Sequence, residues 1–300
     1  MATRNDAVPL VQMRGMSKRF PGVVANDRID LTVHAGEIHA LLGENGAGKT
    51  TLMKLLYGVY RPDAGEIVID GKAVEIRNPQ QALQLGIGMV FQHFTLIPSL
   101  TVAENIILGL SSPRFYLPPE ALTARIEAVA SRYGLSVQPQ ARVWQLSVGE
   151  QQRVELLKLL YRGARILILD EPTAVLTPPE TRLLFRTLRS MARQGYAIIF
   201  ITHKLDEVMD LADRITVLRQ GRVMATLQRR EATRGDLVRL MVGREMLPRP
   251  QRLPLEPGEE ILTVKELSAT DDRGLPALRH ISLTVRRREI LGVAGVAGNG

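Results

Sequence analysis

The spacing of apolar and polar residues changes character three times along the chain. Between residues 8 and 70 the apolar positions fall in short runs, LVQMRGM, IDLTV, EIHALLG and EIVIDG, which predict strands. One helix interrupts them, begun at Gly48 and ended at Gly58. From about Leu96 to Gly163 the period becomes helical, in TVAENIILGL, EALTARIEAVASRYGL and EQQRVELLKLLYRGA. This predicts a helical subdomain, about 94–163, inserted between sheet segments. Strand and helix then alternate again: RILILD, a helix after Pro178-Pro179, AIIFIT, a helix from Lys204, and RITVLRQGRVMATL. Such alternation predicts an α/β layer architecture.

Past residue 245 the pattern breaks. LPRPQRLPLEPGEE holds four prolines and so excludes a helix or a central strand; residues 246–259 read as a linker. Beyond it the chain starts over. Ile29, Leu31, Thr32, Val33, Glu37, Ile38, Gly43, Gly46 and Gly48 recur as Ile281, Leu283, Thr284, Val285, Glu289, Ile290, Gly295, Gly298 and Gly300, at a constant offset of 252. A gapless repeat of this kind predicts a duplicated domain, with residues 260–300 as the opening of a second copy of a domain spanning 8–245.

Composition narrows the possibilities. Three hundred residues, 45% of them hydrophobic, can bury a sizeable core, which argues against a disordered chain. No apolar run approaches the roughly 18 residues that span a bilayer, and the first fifteen residues lack the apolar segment of a secretory signal. With no cysteine there is no disulfide framework and no thiolate metal site. The net charge of +8 invites a nucleic-acid reading, but the arginines are scattered and aromatic residues make up only 4%, so a solvated surface is favoured and no nucleic acid is expected as a partner.

The chemistry sits in a few short stretches. Gly43, Glu44, Asn45, Gly46, Ala47, Gly48, Lys49 and Thr50, followed by Thr51, fit G-x-x-x-x-G-K-[ST] between a strand and a helix, the context that a phosphate-binding loop requires. Glycines let backbone N–H groups turn toward phosphate oxygens at a helix N-terminus, Lys49 reaches the outer phosphates, and Thr50 offers a hydroxyl to Mg2+. RILILDEPT ends a buried strand in two carboxylates: Asp170 can hold Mg2+ through water, and Glu171 can orient or deprotonate an attacking water. Ser147 and Gly149 in LSVGEQQRVE open an amphipathic helix, a second anion site or simply a capped helix.

The order of these stretches is specific: phosphate loop, Gln92 at the end of IGMVFQ, L-S-x-G-E, LILDEP, then His203 after IIFIT. It resembles the nucleotide-binding domain of ATP-binding cassette (ABC) transporters. The resemblance implies a P-loop α/β fold with a mixed sheet core, an antiparallel β subdomain and a helical subdomain, and ATP with Mg2+ as cofactors. It implies that Phe20 in SKRFPGV stacks on adenine, although a core aromatic is the competing reading. By the same resemblance Gln92 senses Mg2+ and contacts membrane subunits, His203 touches the γ-phosphate, and Ser147 and Gly149 close on the nucleotide of the opposite domain. Two departures stand out: Val148 replaces the usual second glycine, and Thr177 replaces the aspartate that normally ends AVLT, which touches communication across the domain interface.

The repeat, together with LSVGEQQ, EPTAVLTPPE and the second glycine loop GVAGVAGNG, is similar to the fused ATPase subunits of monosaccharide and nucleoside importers, with the wording LYRGARILILDEPTAVLTPPE nearer the nucleoside branch. That implies an ATPase at the cytoplasmic face of the cell membrane, partnered by transmembrane permease subunits and, through them, by a substrate-binding protein. A second ABC domain of the same full-length chain would complete each site, and the second loop would be catalytically degenerate. The competing class is a soluble ABC ATPase acting on nucleic acid or ribosomes.

Overall fold

Strands that are apolar on both faces must be covered on both faces, and the computed structural model meets this demand around a six-stranded sheet. It describes residues 8–110, 118–243, 256–270 and 276–294. In chain order, β1 (Val11–Phe20), β2 (Val23–Val33), β3 (Ile38–Leu42), α1 (Lys49–Leu56), β4 (Ala64–Ile69), β5 (Lys72–Val74), α2 (Pro79–Gln84) and β6 (Ile87–Val90) lead to three helices, α3 (Val102–Ile107), α4 (Pro119–Tyr133) and α5 (Val148–Tyr161). Then follow β7 (Ile166–Asp170), α6 (Pro178–Arg193), β8 (Ala197–Thr202), α7 (Leu205–Leu211), β9 (Arg214–Arg219), β10 (Arg222–Gln228) and α8 (Arg234–Val242). The chain divides into two compact units between Met246 and Leu247, and the second contains β11 (Glu260–Thr270) and β12 (Pro276–Arg286).

The larger sheet runs β10-β9-β3-β8-β7-β6, parallel throughout except for the β9–β10 hairpin. Its alternating side chains separate into two cores. Leu41, Ile168, Ile199 and Ile201 face one that includes α1 and the four-stranded antiparallel sheet β2-β1-β4-β5. Ala40, Leu42, Leu169, Ile198 and Phe200 face the other, built with α5, α6 and the helices between β6 and β7. The period-two rule therefore holds within strands that read as unbroken apolar runs.

Several elements differ from the expectation. The first two strands are 10 and 11 residues long rather than short, and pair through Phe20↔Val23, because bulges at Gly15 (φ 60°) and Arg28 (φ 49°) absorb the polar residues that interrupt the apolar pattern. α2, β5 and α8 were not anticipated. β5 follows a turn in which Asp70 and Gly71 both have positive φ, 49° and 74°, the backbone that a two-residue hairpin demands. α8 is short and capped by Thr233, whose side chain accepts from Asp236 N.

The second unit repeats the opening hairpin of the first in detail. In β1–β2, Gly15 N donates to Asp30 Oδ1 and Arg28 N to Ser17 Oγ; in β11–β12, Glu266 N donates to Ser282 Oγ and His280 N to Ser268 Oγ. His34 N donates to Glu37 Oε2, and Arg286 N to Glu289 Oε2. Glu266 and His280 also share the φ of 49° seen at Arg28. The second strand keeps the offset of 252, while the first runs one residue short of it. The second glycine loop, Gly295–Gly300, lies outside the described residues, as does most of the 246–259 linker.

Candidate functional site

The phosphate-type loop is shaped by its surroundings as well as by its own contacts. Gly43 packs where a Cβ would clash with Leu218 O, and Gly48, at φ 98°, sits where a Cβ would clash with Ala25 O. Asn26, fully buried, donates through Nδ2 to Gly48 O at 3.1 Å, and its Oδ1 has no partner among the described residues. Gly221 N, in the β9–β10 turn, donates to Ala47 O at 3.1 Å. Strand ends and turns from three elements thus set the loop in front of α1, whose N-cap is Gly48 itself.

Lys49 is buried, and Nζ donates to Gly43 O at 2.7 Å and Glu44 O at 2.8 Å, so the ammonium lies beneath the loop it belongs to. Burial pushes its pKa down, opposed by the carboxylates of Glu171, Asp170 and Glu44. Thr50 Oγ1 donates to Asp170 Oδ1 at 3.2 Å, joining the loop to the end of β7. Burial raises the Asp170 carboxyl above the usual range, against the Thr50 hydrogen bond and with the Glu171 charge adding to the rise. Glu171 follows in a left-handed backbone, φ 47°, which few residues with a Cβ adopt. Its Oε1 lies 2.9 Å from His203 Nδ1, and Gln92 Nε2 donates to its Oε2 at 3.5 Å. Lys49, Thr50, Asp170, Glu171, Gln92 and His203, spread over 155 residues of sequence, therefore form one cluster at the C-terminal ends of the parallel strands, where open α/β sheets place ligands.

Two oxygens at hydrogen-bonding distance, Thr50 Oγ1 and Asp170 Oδ1, are hard donors of the kind Mg2+ takes when most of its shell is phosphate and water. Thr51 lies in the first turn of α1, and Glu44, Asn45 and Gly46 are exposed at the loop apex. The apex also borders a cavity of about 340 Å3 closed by Arg219, Gln220, Val242 and Gly243. None of the clustered side chains lines that cavity, which the loop's own Glu44, Asn45, Gly46 and Ala47 border.

Three expected residues stand apart. Ser147 caps α5: its Oγ accepts from Glu150 N at 3.3 Å and donates to Glu150 Oε2 at 2.8 Å. Gly149 is buried where a Cβ would clash with Glu180 Oε1. Neither hydrogen-bonds to the cluster. Phe20 is 37% exposed, so the core reading is set aside; its ring meets Tyr60 edge-on at 5.3 Å between centroids. Thr177, in place of the expected aspartate, precedes α6 and donates from N and Oγ1 to Glu180 Oε2, at 2.8 Å and 2.7 Å.

Sequence reasoning missed the buried polar residues, two acids and one amide, that tie the loops together. Glu155 Oε1 accepts from Thr95 N at 2.6 Å, anchoring the segment after Gln92 to α5. Gln152 Nε2 donates to Pro172 O at 2.6 Å, anchoring the segment after Glu171 to the same helix. Glu207 does the same between β7 and β8. Each lies on a helix face that reads as polar and hence as solvent-facing; only its unusual burial singles it out.

Residues 26–174 match the family described as "ABC transporter". Over 97% of its length the chain is 50% identical to the glucose import ATP-binding protein TsgD13 of Haloferax volcanii and 48% identical to the guanosine import ATP-binding protein NupO of Bacillus subtilis. It spans 58% and 57% of those relatives' own lengths. Among solved structures, cbiO1 of Clostridium perfringens, part of the ABC transporter complex cbiONQ, shares 28% identity with a TM-score of 0.67, over 77% of this chain and 93% of its own. The loop, the acidic strand end and the histidine thus lie together on a shared fold, and the chain belongs to the ABC transporter family of ATP-binding proteins.

Proposed function

We propose that the chain binds MgATP at the cluster of Lys49, Thr50, Asp170, Glu171, Gln92 and His203 and hydrolyses it to drive uptake of a nucleoside or a simple sugar. The observation that carries the reading is the geometry of Glu171, a carboxylate between Gln92 and His203 at the strand end beside Asp170. Lys49 would exchange its two neutral backbone acceptors for ionised phosphate oxygens, so that both partners of the bond carry charge. Thr50 and Asp170 would hold Mg2+, which supplies charge neutralisation at the phosphates. Glu171 would orient the attacking water and take its proton, and His203, held through Nδ1, would contact the outer phosphate. Phe20 offers an exposed face for the adenine ring.

Ser147 and Gly149, at the N-terminus of a 14-residue helix away from this cluster, would cover the nucleotide of a second ABC domain, the one that β11 and β12 begin. The helices between β6 and β7, with Gln92 at their entry, would meet separate permease subunits, which work with a substrate-binding protein at the cytoplasmic face of the membrane. The relatives' names, glucose in one and guanosine in the other, support both substrate classes equally.

The test is MgATP binding and turnover in the parent and in Lys49→Ala. The expected result is saturable binding and phosphate release in the parent, with affinity lost in the variant. Equal affinity in the two proteins overturns the assignment of the loop. Co-purification with nucleic acid or ribosomes rather than with membranes overturns the import role.

A further inference from the structure

Two loops carry the reacting groups, one after β7 with Glu171 and one after β8 with His203; Glu171 N donates to Ile201 O of β8 at 3.0 Å, and Lys204 Nζ, beside His203, donates to Thr173 O at 3.4 Å. One buried side chain grips both loops. Glu207, on the first turn of α7 and 8% exposed, receives Thr173 Oγ1 on Oε1 and Thr202 Oγ1 on Oε2, the latter at 3.0 Å. Thr173 lies two residues beyond Glu171, and Thr202 immediately precedes His203. Both threonines are buried, at 4% and 1% exposure.

The remaining valences are also used. Lys204 Nζ lies 3.1 Å from Glu207 Oε1 and donates to Thr173 Oγ1 at 3.3 Å, while Lys204 N donates to Thr202 Oγ1 at 3.0 Å. A buried carboxylate with one cation and two hydroxyl donors is a satisfied group, so its burial is tolerated. A bulky residue would fill the space, but it could not tie two loops by their hydroxyls.

We propose that Glu207 is a positioning residue for the hydrolytic step: it fixes the separation of Glu171 and His203 by latching Thr173 and Thr202 to one carboxylate. Glu171 needs such support, because its left-handed backbone (φ 47°) is a conformation that persists only where the surroundings impose it. The side chain of His203 is 43% exposed, and among the described residues its one hydrogen-bond partner is Glu171. Release of the latch lets both loops relax, and the 2.9 Å contact between them is lost. Lys49 and Thr50, on α1, stand outside the latch, so nucleotide binding survives its removal while turnover does not. The inference rests on the ATP-hydrolysing function proposed above.

The experiment measures MgATP affinity, kcat and KM in the full chain for the parent, Glu207→Ala, Thr173→Val, Thr202→Val, and the serine variants Thr173→Ser and Thr202→Ser. Glu207→Ala should lower kcat roughly 10- to 100-fold, the scale of misplacing a catalytic group by about an ångström. Affinity should stay within about threefold of the parent, since the binding contacts are untouched. Each valine variant should reproduce part of the loss, each serine variant should restore it, and adding Glu207→Ala to the double valine variant should cost little more. Should Glu207→Ala fail to fold, the near-isosteric valine variants decide alone. Parental kcat in folded valine variants overturns the latch, as does a loss of affinity parallel to the loss of kcat. A parent that binds no MgATP or releases no phosphate overturns the functional reading, and the latch with it; an active parent with indifferent variants overturns the latch alone.

Discussion

Glu171 and His39 show two opposite uses of a titratable side chain. Glu171 stands where a water could be oriented, next to Asp170 but bonded away from it, to His203 and Gln92. Glu171→Gln keeps the shape and removes the base, so MgATP affinity should hold while single-turnover hydrolysis falls roughly 100-fold or more, the scale of general-base loss. Parental hydrolysis in that variant would assign the proton transfer elsewhere. His39, by contrast, is fully buried with Nδ1 2.8 Å from Glu37 Oε1 and Nε2 2.8 Å from Thr216 Oγ1. A carboxylate can only accept, so Nδ1 carries the proton and Nε2 accepts from the threonine. Burial holds the His39 pKa below its ordinary 6.5, despite the neighbouring Glu37. The unfolded chain then binds the proton more readily, so stability is complete above pH 6.5 and falls as pH drops from 6.5 toward the lower folded value. Thermal unfolding followed between pH 8 and 5 should show this decline, and His39→Gln should flatten it; an unchanged slope in the variant would remove His39 from the account.

At the scale of elements, the phosphate loop is shaped by what packs behind it. Gly46 (φ 81°) has open space where a Cβ would project, whereas Gly48 (φ 98°) meets Ala25 O and, at 2.8 Å, Asn26 Nδ2. Gly46→Ala bears only the left-handed backbone penalty of about 1–2 kcal/mol. Gly48→Ala adds a backbone clash, so it should cost at least about 2 kcal/mol more than Gly46→Ala, a burden of the size that core overpacking brings. Urea denaturation of the two variants measures the difference, and equal midpoints would mean that β2 yields to the new methyl. The strands flanking the loop were readable as apolar runs, but not the extent of β1 and β2, where Gly15 and Arg28 take positive φ to bulge the pair. A bulge leaves no mark on hydrophobic period except an apparent interruption.

At the scale of the whole molecule, the second compact unit repeats the hairpin that opens the first. In the first hairpin Met13, Met16, Ile29, Leu31 and Val33 are buried; in the second Ile261, Leu262, Leu267 and Ile281 are exposed, at 67%, 52%, 44% and 39%. Apolar surface of this kind is stable when further strands cover it. Extending the chain through a complete second domain should therefore raise ATP turnover per molecule strongly and make the 260–294 ribbon resistant to proteolysis. Steady-state ATPase and limited proteolysis across a range of protein concentrations read both effects. Full turnover by a demonstrably monomeric 300-residue chain would show that residues 1–300 complete the site without a partner domain.

By itself the sequence determined the family signature, the α/β alternation and the repeat, because each is local: a phosphate loop needs its glycines, lysine and threonine in consecutive order, and a buried strand needs consecutive apolar residues. Lys49, Thr50, Asp170, Glu171, Gln92 and His203 were legible for the same reason, since each lies in a motif at a strand end. Only the tertiary structure decided how they meet. Thr50 reaches Asp170 across 120 residues, Asn26 holds Gly48 across 22, and Glu207 gathers Thr173 and Thr202 from two loops. Those supports are ordinary polar residues on helices and strands. Burial makes them necessary, and burial is a property of the packed chain, absent from any one segment of it.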